Sequence, residues 1–281
     1  MPSTTPKGRA LGAELRQARE HTGLSVRELA RRLETNHTNL SRIESGERPP
    51  PPEVVASILT ALGVNGAAQE KIVELSRDTG GSYWISVGMP EQELQLAALL
   101  DFERTAQHIT DVSPLLMPGL LQTSEYVRAI MTTAGLPTPD VETRAAIRIG
   151  RREVLTRDDP VTFTAYIGEP VLRQHIVERD AMVAQLRHVL EFASMKHVTV
   201  HVIPEETAWH PGLEGAFSLL DFTAADPIVH LETRRSGLFL GEENDVAAYR
   251  QAVGKVREIA MTPQESYRLI AEIANRTETT P

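Results

Sequence analysis

The sequence predicts an α + α/β protein, in which a domain of five helices precedes a larger mixed α/β domain with a sheet of about four strands. The chain has 281 residues, more than a single domain usually contains. Residues 8–77 show only helical periodicity and helix caps, whereas residues 83–276 alternate helical segments with strands rich in β-branched residues. The segment DTGGS at 78–82 is typical of a linker. We therefore predict domains at 1–77 and 83–276, joined by this linker and followed by a tail at 277–281.

Composition excludes several classes of protein. Hydrophobic residues make up 41% and charged residues 24% of the chain, as in ordinary soluble proteins. The chain has no cysteine, which excludes disulfides, thiolate metal sites and cysteine nucleophiles and fits a reducing compartment. No run of eighteen apolar residues and no apolar N-terminal segment is present, so we predict no membrane span and no secretion signal. We expect a cytoplasmic protein.

Charge is distributed unevenly along the chain. Residues 1–50 contain nine Lys or Arg and six Glu, a net charge of +3, whereas the whole chain carries −9. An acidic protein disfavours indiscriminate coating of nucleic acid, because nonspecific binding grows with the number of phosphates neutralised. A mildly basic N-terminal domain still allows sequence-specific binding.

The first two helices are predicted from spacing and caps. Leu11, Leu15 and Ala18 recur at helical spacing, and Gly23 is a suitable residue to end that helix. The second helix begins at Ser25, whose hydroxyl can accept from the amide of Glu28 while the Glu28 carboxylate bonds back, forming a capping box.

The third helix, which we expect to be capped by Thr35, separates an apolar from a polar face. At about 100° per residue, Leu40 and Ile43 share one face. The opposite arc contains no carboxylate, which suits a helix that approaches DNA; it consists of His37, Thr38, Ser41, Arg42 and Ser45. The alternative is the polar face of an ordinary helical hairpin. A fourth helix follows the proline run and ends at Gly63, and a fifth covers 67–77.

The second domain is predicted as α/β. Helical periodicity occurs at 91–109, 123–135 and 141–155, and the chain closes with two more helices. Strand patterns are present in VTFTAYI, VTVHVIP, AFSLLDF and IVHLET, with GLFL as a possible fifth. The segment between the first two strands is long enough for a helical crossover, so we expect those strands to be parallel.

We predict no catalytic, cofactor or metal site in this domain. The sequence has no Gly-rich phosphate loop, no G-x-S-x-G and no H-E-x-x-H. His197 and His201 stand about 13 Å apart along a strand, too far to share one metal ion. Trp209 and His210, with Gly212, occupy a turn-rich loop between strands, which fits either the rim of a ligand site or an anchored loop.

The stretch GLSVRELARRLETNHTNLSRIESGERPP, residues 23–50, resembles the helix-turn-helix of the Cro/C1 or XRE type. The resemblance is carried by the Leu-Ser start, Glu-Leu-Ala in the second helix and Ser-Arg-Ile-Glu-x-Gly at the end of the third. Two positions depart from the pattern: Val26 replaces a frequent glutamine, and Glu34 stands where glycine usually makes the turn. The resemblance implies DNA binding, with the third helix in the major groove.

This resemblance also implies roles for individual residues. It implies that the base contacts come from His37, Thr38, Ser41 and Arg42. It implies that the phosphate contacts come from Ser25, Arg27, Asn36, Asn39 and Arg48, some of them at helix N-termini that attract anions. The alternative for each residue is a solvated surface position.

The second domain resembles the C-terminal domain of WhiJ-like XRE regulators of actinobacteria. The similarity is carried by PGLLQTSEYVRAIM, RRE at 151–153, MVAQLRHVLEF, VTVHVIP and SYRLIAEIA. It implies control of development or secondary metabolism. It also implies a small acidic protein partner of the BldB-like kind, in some cases described as a toxin and antitoxin pair, and leaves any small-molecule ligand unidentified.

Together these patterns predict a nucleoid-associated regulator that binds double-stranded DNA through residues 8–77 and senses a ligand or protein partner through the second domain. An antitoxin-like protein that clasps a small acidic partner and regulates its own operon is the alternative, and an enzyme fused to a DNA-binding domain is a third class. We expect a homodimer on an inverted repeat. We expect it to be held by apolar helices of the second domain such as LQLAALL and SYRLIAEIA, with DTGGS letting each DNA-binding domain adjust.

Overall fold

A computed structural model describes residues 4–77, 79–87, 91–233 and 236–279. Its contacts divide the chain into two compact units. Unit 1 comprises Met1–Thr105 together with Phe222–Val246, and unit 2 comprises Ala106–Asp221 together with Ala247–Pro281.

Unit 1 begins with the five predicted helices and continues with a further helix. They are α1 Pro6–His21, α2 Val26–Arg32, α3 His37–Glu44, α4 Pro52–Ala61, α5 Ala67–Leu75 and α6 Glu91–Thr105. Three strands complete the unit: β1 Tyr83–Val87, β6 Ile228–Glu232 and β7 Ser236–Leu240. The strands are antiparallel in the order β1-β7-β6, and α6 packs on β1 and β7.

The helix starts follow local chemistry. The capping box at Ser25 and Glu28 is present: the amide of Glu28 donates to the Ser25 hydroxyl at 3.3 Å, and the amide of Ser25 donates to the Glu28 carboxylate at 2.8 Å. The predicted cap of α3 is wrong by one residue. Asn36, not Thr35, is the N-cap, because its side-chain oxygen accepts from the Thr38 amide at 2.8 Å.

The turn between α2 and α3 is made by a residue in the left-handed region. Glu34 has φ of 51° and is the one non-glycine residue with positive φ in the part of the chain that the structure describes. The sequence pattern expects glycine here, since a side chain at this φ is strained. The backbone therefore adopts the usual turn although the residue does not favour it.

Unit 2 contains four strands and the remaining helices. Its strands are β2 His108–Ser113, β3 Thr162–Gly168, β4 Val198–Ile203 and β5 Phe217–Asp221. Its helices are α7 Ser124–Thr133, α8 Thr138–Gly150, α9 Glu153–Thr156, α10 Glu169–Arg173, α11 Arg179–Ala193 and α13 Pro263–Thr279. Helix α12, Glu243–Ile259, begins in unit 1, and the division between the units falls after Val246.

The strands of unit 2 have the order β5-β2-β3-β4. Strands β2, β3 and β4 are parallel, and β5 is antiparallel to β2. The predicted parallel pairing of VTFTAYI with VTVHVIP is therefore confirmed. One face of β3 buries Phe163, Ala165 and Ile167, and helices α11 and α13 pack against each other and on β4.

The described strands number seven rather than about four, although the α + α/β class is confirmed. Strand β1 falls at the start of the predicted second domain, and β2, at His108–Ser113, begins at the end of the helical pattern at 91–109. Both strands are five or six residues long, and their pairing partners lie far along the chain, at β7 for β1 and at β3 and β5 for β2. Local periodicity does not distinguish such strands from helix ends.

The predicted domain boundaries stay a prediction. Asp78 of the linker lies outside the described residues, and the Thr5 hydroxyl donates to the carbonyl of Thr79 at 2.6 Å. Unit 1 extends beyond residue 77 and includes β1, α6 and the β6–β7 hairpin. Helix α13 runs to Thr279 and so includes most of the predicted tail.

Candidate nucleic-acid interface

The candidate interface is built on helices α2 and α3, whose inner faces are buried in the core of unit 1. Leu29 and Ala30 of α2 and Leu40 and Ile43 of α3 are at most 4% exposed. The residues on the outer side of α3 are polar and exposed. The apolar residues thus fix which face of this helix meets solvent.

A buried ion pair fixes the C-terminal end of α3. Arg19 of α1 donates from Nε to Oε1 of Glu44 at 2.7 Å and from Nη2 to Oε2 at 2.9 Å. A third bond runs from Arg19 Nη1 to the carbonyl of Leu24 at 2.9 Å. The hydrogen bond to Glu44 raises the pKa of Arg19. Because Glu44 is the one acidic residue of α3, its burial leaves the exposed face without a carboxylate.

Glycines allow α1 and the end of α3 to approach closely. A Cβ atom on Gly12 would stand 2.7 Å from the carbonyl oxygens of Ile43 and Glu44. A Cβ atom on Gly46 would stand 2.6 Å from the Cα of Arg9, and Gly46 has φ of 78°. Only glycine fits at these two positions without moving backbone, so the position of α3 against α1 is rigidly set.

The four predicted base-contact residues lie together on the outer face of α3. His37, Thr38, Ser41 and Arg42 are all exposed, and Ser45 follows at the end of the helix. The geometry therefore presents an imidazole, two hydroxyls and a guanidinium along two turns of one helix. Such groups suit the edges of bases in a major groove.

Glu47 is a residue of this surface that the sequence reasoning missed. After Gly46 the loop folds back, and the amide of Arg48 donates to the carbonyl of Arg42 at 3.1 Å. The turn brings the Glu47 carboxylate within 3.1 Å of Arg42 Nε, which donates to it. Nη1 and Nη2 of Arg42 remain available for a second acceptor. The glycine in S-G-E-R is the sequence signal that could have indicated this contact, because glycine permits the positive φ of a sharp turn.

The five predicted phosphate-contact residues surround this face. Arg27 and Arg48 are exposed, and Arg48 Nη1 donates to the Asn39 side-chain oxygen at 3.0 Å. Asn36 and Ser25 already serve as helix caps. The Ser25 hydroxyl also donates to the Glu28 carboxylate at 2.6 Å, and these bonds lower the pKa of Glu28. A phosphate at Ser25 would thus meet an ionised carboxylate, whereas Arg27 and Arg48 face it without that obstacle.

The two histidines considered from the sequence as metal ligands bond to backbone carbonyls. The ring nitrogens of His197 and His201 contact the carbonyls of Leu155 at 2.8 Å and Met261 at 2.9 Å, respectively. Within the described ranges there is no group of three or more His, Asp or Glu that could hold a metal ion. Over the same ranges, every helix is too short or too polar to cross a membrane.

Comparison with protein families agrees with this geometry. Residues 10–71, which include most of α1–α5, match the family described as helix-turn-helix domain. Residues 96–272 match the family described as domain of unknown function (DUF5753). Because the second match covers more than half of the chain, the protein belongs to that family.

No curated protein matches the chain. Among solved structures, the chain matches one described as TrmBL2, an archaeal chromatin protein with a novel mode of DNA binding. The identity is 14% and the TM-score 0.31, with 75% of this chain and 66% of that chain covered. The chain thus spans less than two thirds of that protein, and a similarity at this level carries no argument about function.

Proposed function

We propose that the chain is a sequence-specific transcriptional regulator of the XRE type and the WhiJ-like kind, acting in the cytoplasm on the nucleoid. The observation that carries the proposal is the outer face of α3, where an exposed guanidinium, an imidazole and hydroxyls lie on a rigidly held helix with no exposed carboxylate. A helix of this kind fits the major groove, where arginine pairs with guanine and small polar side chains contact other bases.

In the proposed complex, α3 reads bases and the surrounding residues hold the backbone. Arg42 donates two hydrogen bonds to one guanine, and His37, Thr38 and Ser41 contact neighbouring base edges. The backbone contacts come from Arg27, Arg48, Asn39 and Asn36, which bind phosphates and set the register without themselves carrying sequence information. Ser25, the fifth expected contact, is kept from a phosphate by the Glu28 carboxylate that it binds.

The proposal includes a homodimer, because one short helix reads too few base pairs to select a site in a genome. The two apolar helices expected to hold the dimer are instead used inside the protomer. Leu94, Ala98 and Leu99 of α6 are at most 7% exposed, and Ile270 and Ile273 of α13 at most 5%. Their apolar faces pack on β1 and α1, and on α11 and β4, respectively.

Strand β1 is the surface that best suits a second copy. Among the described strands it pairs with β7 alone, so its other edge presents unpaired backbone groups. Tyr83 and Ile85 on this strand are 60% and 55% exposed. Antiparallel pairing of two β1 strands would place both side chains beside those of the second copy on one face and complete the hydrogen bonds of that edge.

For the second unit we propose a regulatory role rather than catalysis, with a ligand or a small protein as the signal. The antitoxin-like alternative assigns the same unit to a small acidic partner. Native mass spectrometry of the full chain from its own host separates them: an added mass of a few hundred daltons indicates a ligand, and one of several thousand a protein.

The proposed function is tested by selecting binding sites for the full chain from random double-stranded DNA. We expect one enriched sequence arranged as an inverted repeat, with half-sites about 34 Å apart. Enrichment of a single half-site would contradict the dimer, and failure to enrich any sequence would contradict the regulator itself. As a control, a variant with Arg42, His37 and Ser41 all changed to Ala should enrich nothing.

A further inference from the structure

Unit 2 exposes a cluster of large apolar side chains that the proposed function does not use. Leu115 is 66% exposed, Leu116 43%, Trp209 65% and Leu213 61%. These four account for half of the large apolar side chains that are exposed in the described part of the chain. We call them the apolar patch. Concentrated exposure of this kind is unusual on a soluble surface and marks an interaction site more often than scattered exposure does.

The topology of unit 2 places the two loops of the apolar patch at one edge of its sheet. Because β2, β3 and β4 are parallel, Ser113, Gly168 and Ile203 end these strands at the same edge. Antiparallel β5 begins there at Phe217. The loop 114–118 leaves β2 at this edge, and the loop 204–216 crosses it from β4 to β5. With strands about 4.8 Å apart, that crossing spans about 14 Å.

Both loops are fixed to the sheet. The carbonyl of Pro114 contacts the position that a Cβ on Gly168 would take, and a Cβ on Gly212 would stand 3.4 Å from Val112 Cγ1. The amide of Leu213 donates to the carbonyl of His210 at 3.0 Å. The loops that carry the apolar patch therefore make specific contacts with the ends of the strands.

Trp209 projects outward because its neighbour is buried. His210 is 5% exposed and has an extended backbone, so the two side chains point to opposite sides. Burial lowers the pKa of His210, which keeps its ring neutral at pH 7. Trp209 is thus displayed by an anchored residue rather than left exposed by a loose loop.

The two loops that form the apolar patch carry only negative charge, although just after loop 114–118 the Arg151 guanidinium lies 3.5 Å from the position that a Cβ on Gly119 would take. The loop 204–216 contains Glu205, Glu206 and Glu214, all exposed, and no Lys or Arg. The loop 114–118 carries no charge. Next to them, Glu169 accepts from Arg173 at 2.8 Å and from the amide of Glu205 at 3.3 Å, so this Arg and Glu offset each other.

This charge excludes several occupants. DNA and anionic lipid surfaces are repelled by three carboxylates at close range. A second copy that met the same patch through a twofold axis would bring six carboxylates together. A small molecule usually binds in a concave site, whereas these side chains stand on the outside of surface loops. An apolar protein surface rimmed with positive charge has the complementary chemistry.

We propose that the apolar patch docks a protein partner whose contacting segment carries apolar side chains flanked by Lys or Arg. This inference rests on the regulatory role proposed for unit 2 and names the chemistry of its protein partner, and it does not depend on DNA binding. It argues against the small acidic partner of the antitoxin-like alternative. It assigns Trp209 as the main anchor, since tryptophan is among the side chains that most often dominate the binding energy of an interface. The glutamates require a positive charge on the partner's contacting surface and increase the rate of association.

The experiment is a selection of random displayed peptides of about sixteen residues against the full chain, with counter-selection against a Trp209→Ser/Leu213→Ser variant. Both substitutions are at exposed positions, so the variant should fold, and circular dichroism checks this. We expect enriched peptides that combine aromatic or aliphatic residues with Lys or Arg. Enrichment of acidic peptides, or of none that distinguish the wild type from the variant, would overturn the proposal.

Affinities of the best selected peptide then test each part of the proposal. We expect at least a tenfold loss on Trp209→Ser/Leu213→Ser and no change on Tyr267→Ser, an aromatic residue of α13 that is 43% exposed. Changing Glu205, Glu206 and Glu214 to Gln should weaken binding at least fivefold. The same change at exposed Glu178, Glu258 and Glu272 should not. Equal losses in both triple variants would reduce the effect to overall charge and refute the acidic rim.

Sedimentation of the full chain tests whether a second copy is correctly excluded as the occupant of the patch. The proposal expects the Trp209→Ser/Leu213→Ser variant to have the same mass in solution as the wild type. A change from dimer to monomer in that variant would show that the patch joins two copies, which contradicts the proposed partner.

Discussion

The outer face of α3 and the apolar patch of unit 2 are both exposed surfaces, but their chemistry is opposite. The α3 face combines hydroxyls, an imidazole and a guanidinium with no exposed carboxylate on the helix, because its one glutamate is buried against Arg19. The apolar patch combines leucines and a tryptophan with three glutamates. One surface therefore attracts polyanions and the other repels them. The comparison supports the proposal that two separate units of one chain bind two different partners.

The largest expected effect comes from breaking the support under α3. Arg19→Ala leaves the buried Glu44 carboxylate without its partner, which should cost about 3–5 kcal/mol of stability. Thermal unfolding of the full chain measures this loss. Arg31→Ala, at an exposed position of α2, is the matched control and should change little.

The pair variant Arg19→Met/Glu44→Leu sharpens that test. Replacing both charges with apolar side chains removes the uncompensated carboxylate and should recover most of the lost stability. A loss of less than 1 kcal/mol of stability in Arg19→Ala would mean that the ion pair does not hold α3 in place. It would contradict the claim that α3 is rigidly positioned.

The turn at Glu34 offers a gain in stability. Glu34→Gly relieves a side chain at φ of 51° and should stabilise the chain by about 1 kcal/mol. Glu34→Ala removes the same charge but keeps the strain, so it should give no gain. Thermal unfolding of both variants distinguishes backbone strain from charge, and equal melting temperatures would refute the strain.

Removing the Glu47 carboxylate should lower the preference for the selected site and raise the affinity for random DNA. Glu47→Gln weakens the hydrogen bond that Arg42 Nε donates to residue 47. It also removes a negative charge that would lie close to phosphates in the proposed complex. An exposed pair of this kind is worth about 0.2–1 kcal/mol, so discrimination of the selected site should fall about two- to fivefold. Affinity for random DNA should rise, as measured by titration at fixed salt.

The control for Glu47 is Glu53→Gln, which removes an exposed carboxylate from α4. It should change binding to selected and random DNA in the same direction. If Glu47→Gln behaves in the same way, the carboxylate acts only through charge and does not orient the arginine.

The smallest effect is on the salt dependence of binding. Arg27→Ala should weaken binding to all sequences and lower the slope of log affinity against log salt by about one. Arg268→Ala, on α13 of the other unit, serves as the control. An unchanged slope in Arg27→Ala would remove that residue from the phosphate contacts.

Features governed by neighbouring residues were predictable, and those governed by distant residues were not. The capping box of Ser25 and Glu28 and the apolar pair Leu40 and Ile43 followed from spacing alone. The predicted cap was placed at Thr35 instead of Asn36, because both residue types cap helices and the two stand side by side. The exposed α3 face was therefore available from the sequence, as a consequence of helical geometry.

Long-range arrangements gave no local signal. Strand β1 pairs with β7 across about 150 residues of sequence, and residues 222–246 join unit 1 although they follow the strands of unit 2. The contact between Glu47 and Arg42 depends on the bend at Gly46, which a helical projection does not include. The two helices expected to hold the dimer bury their apolar faces inside the protomer for a related reason. An apolar face predicts burial, but it does not show whether the contacting element belongs to the same chain or to a second copy.

The central claim is that Arg42 of α3 reads a base, and a cycle of residue and base changes tests it most directly. The affinities of wild type and Arg42→Ala are measured on the selected site, on sites with each guanine replaced, and on random DNA. We expect Arg42→Ala to lose about 1–3 kcal/mol on the selected site and to become indifferent to one replaced guanine. Equal losses on selected and random DNA, with every base preference unchanged, would contradict the account.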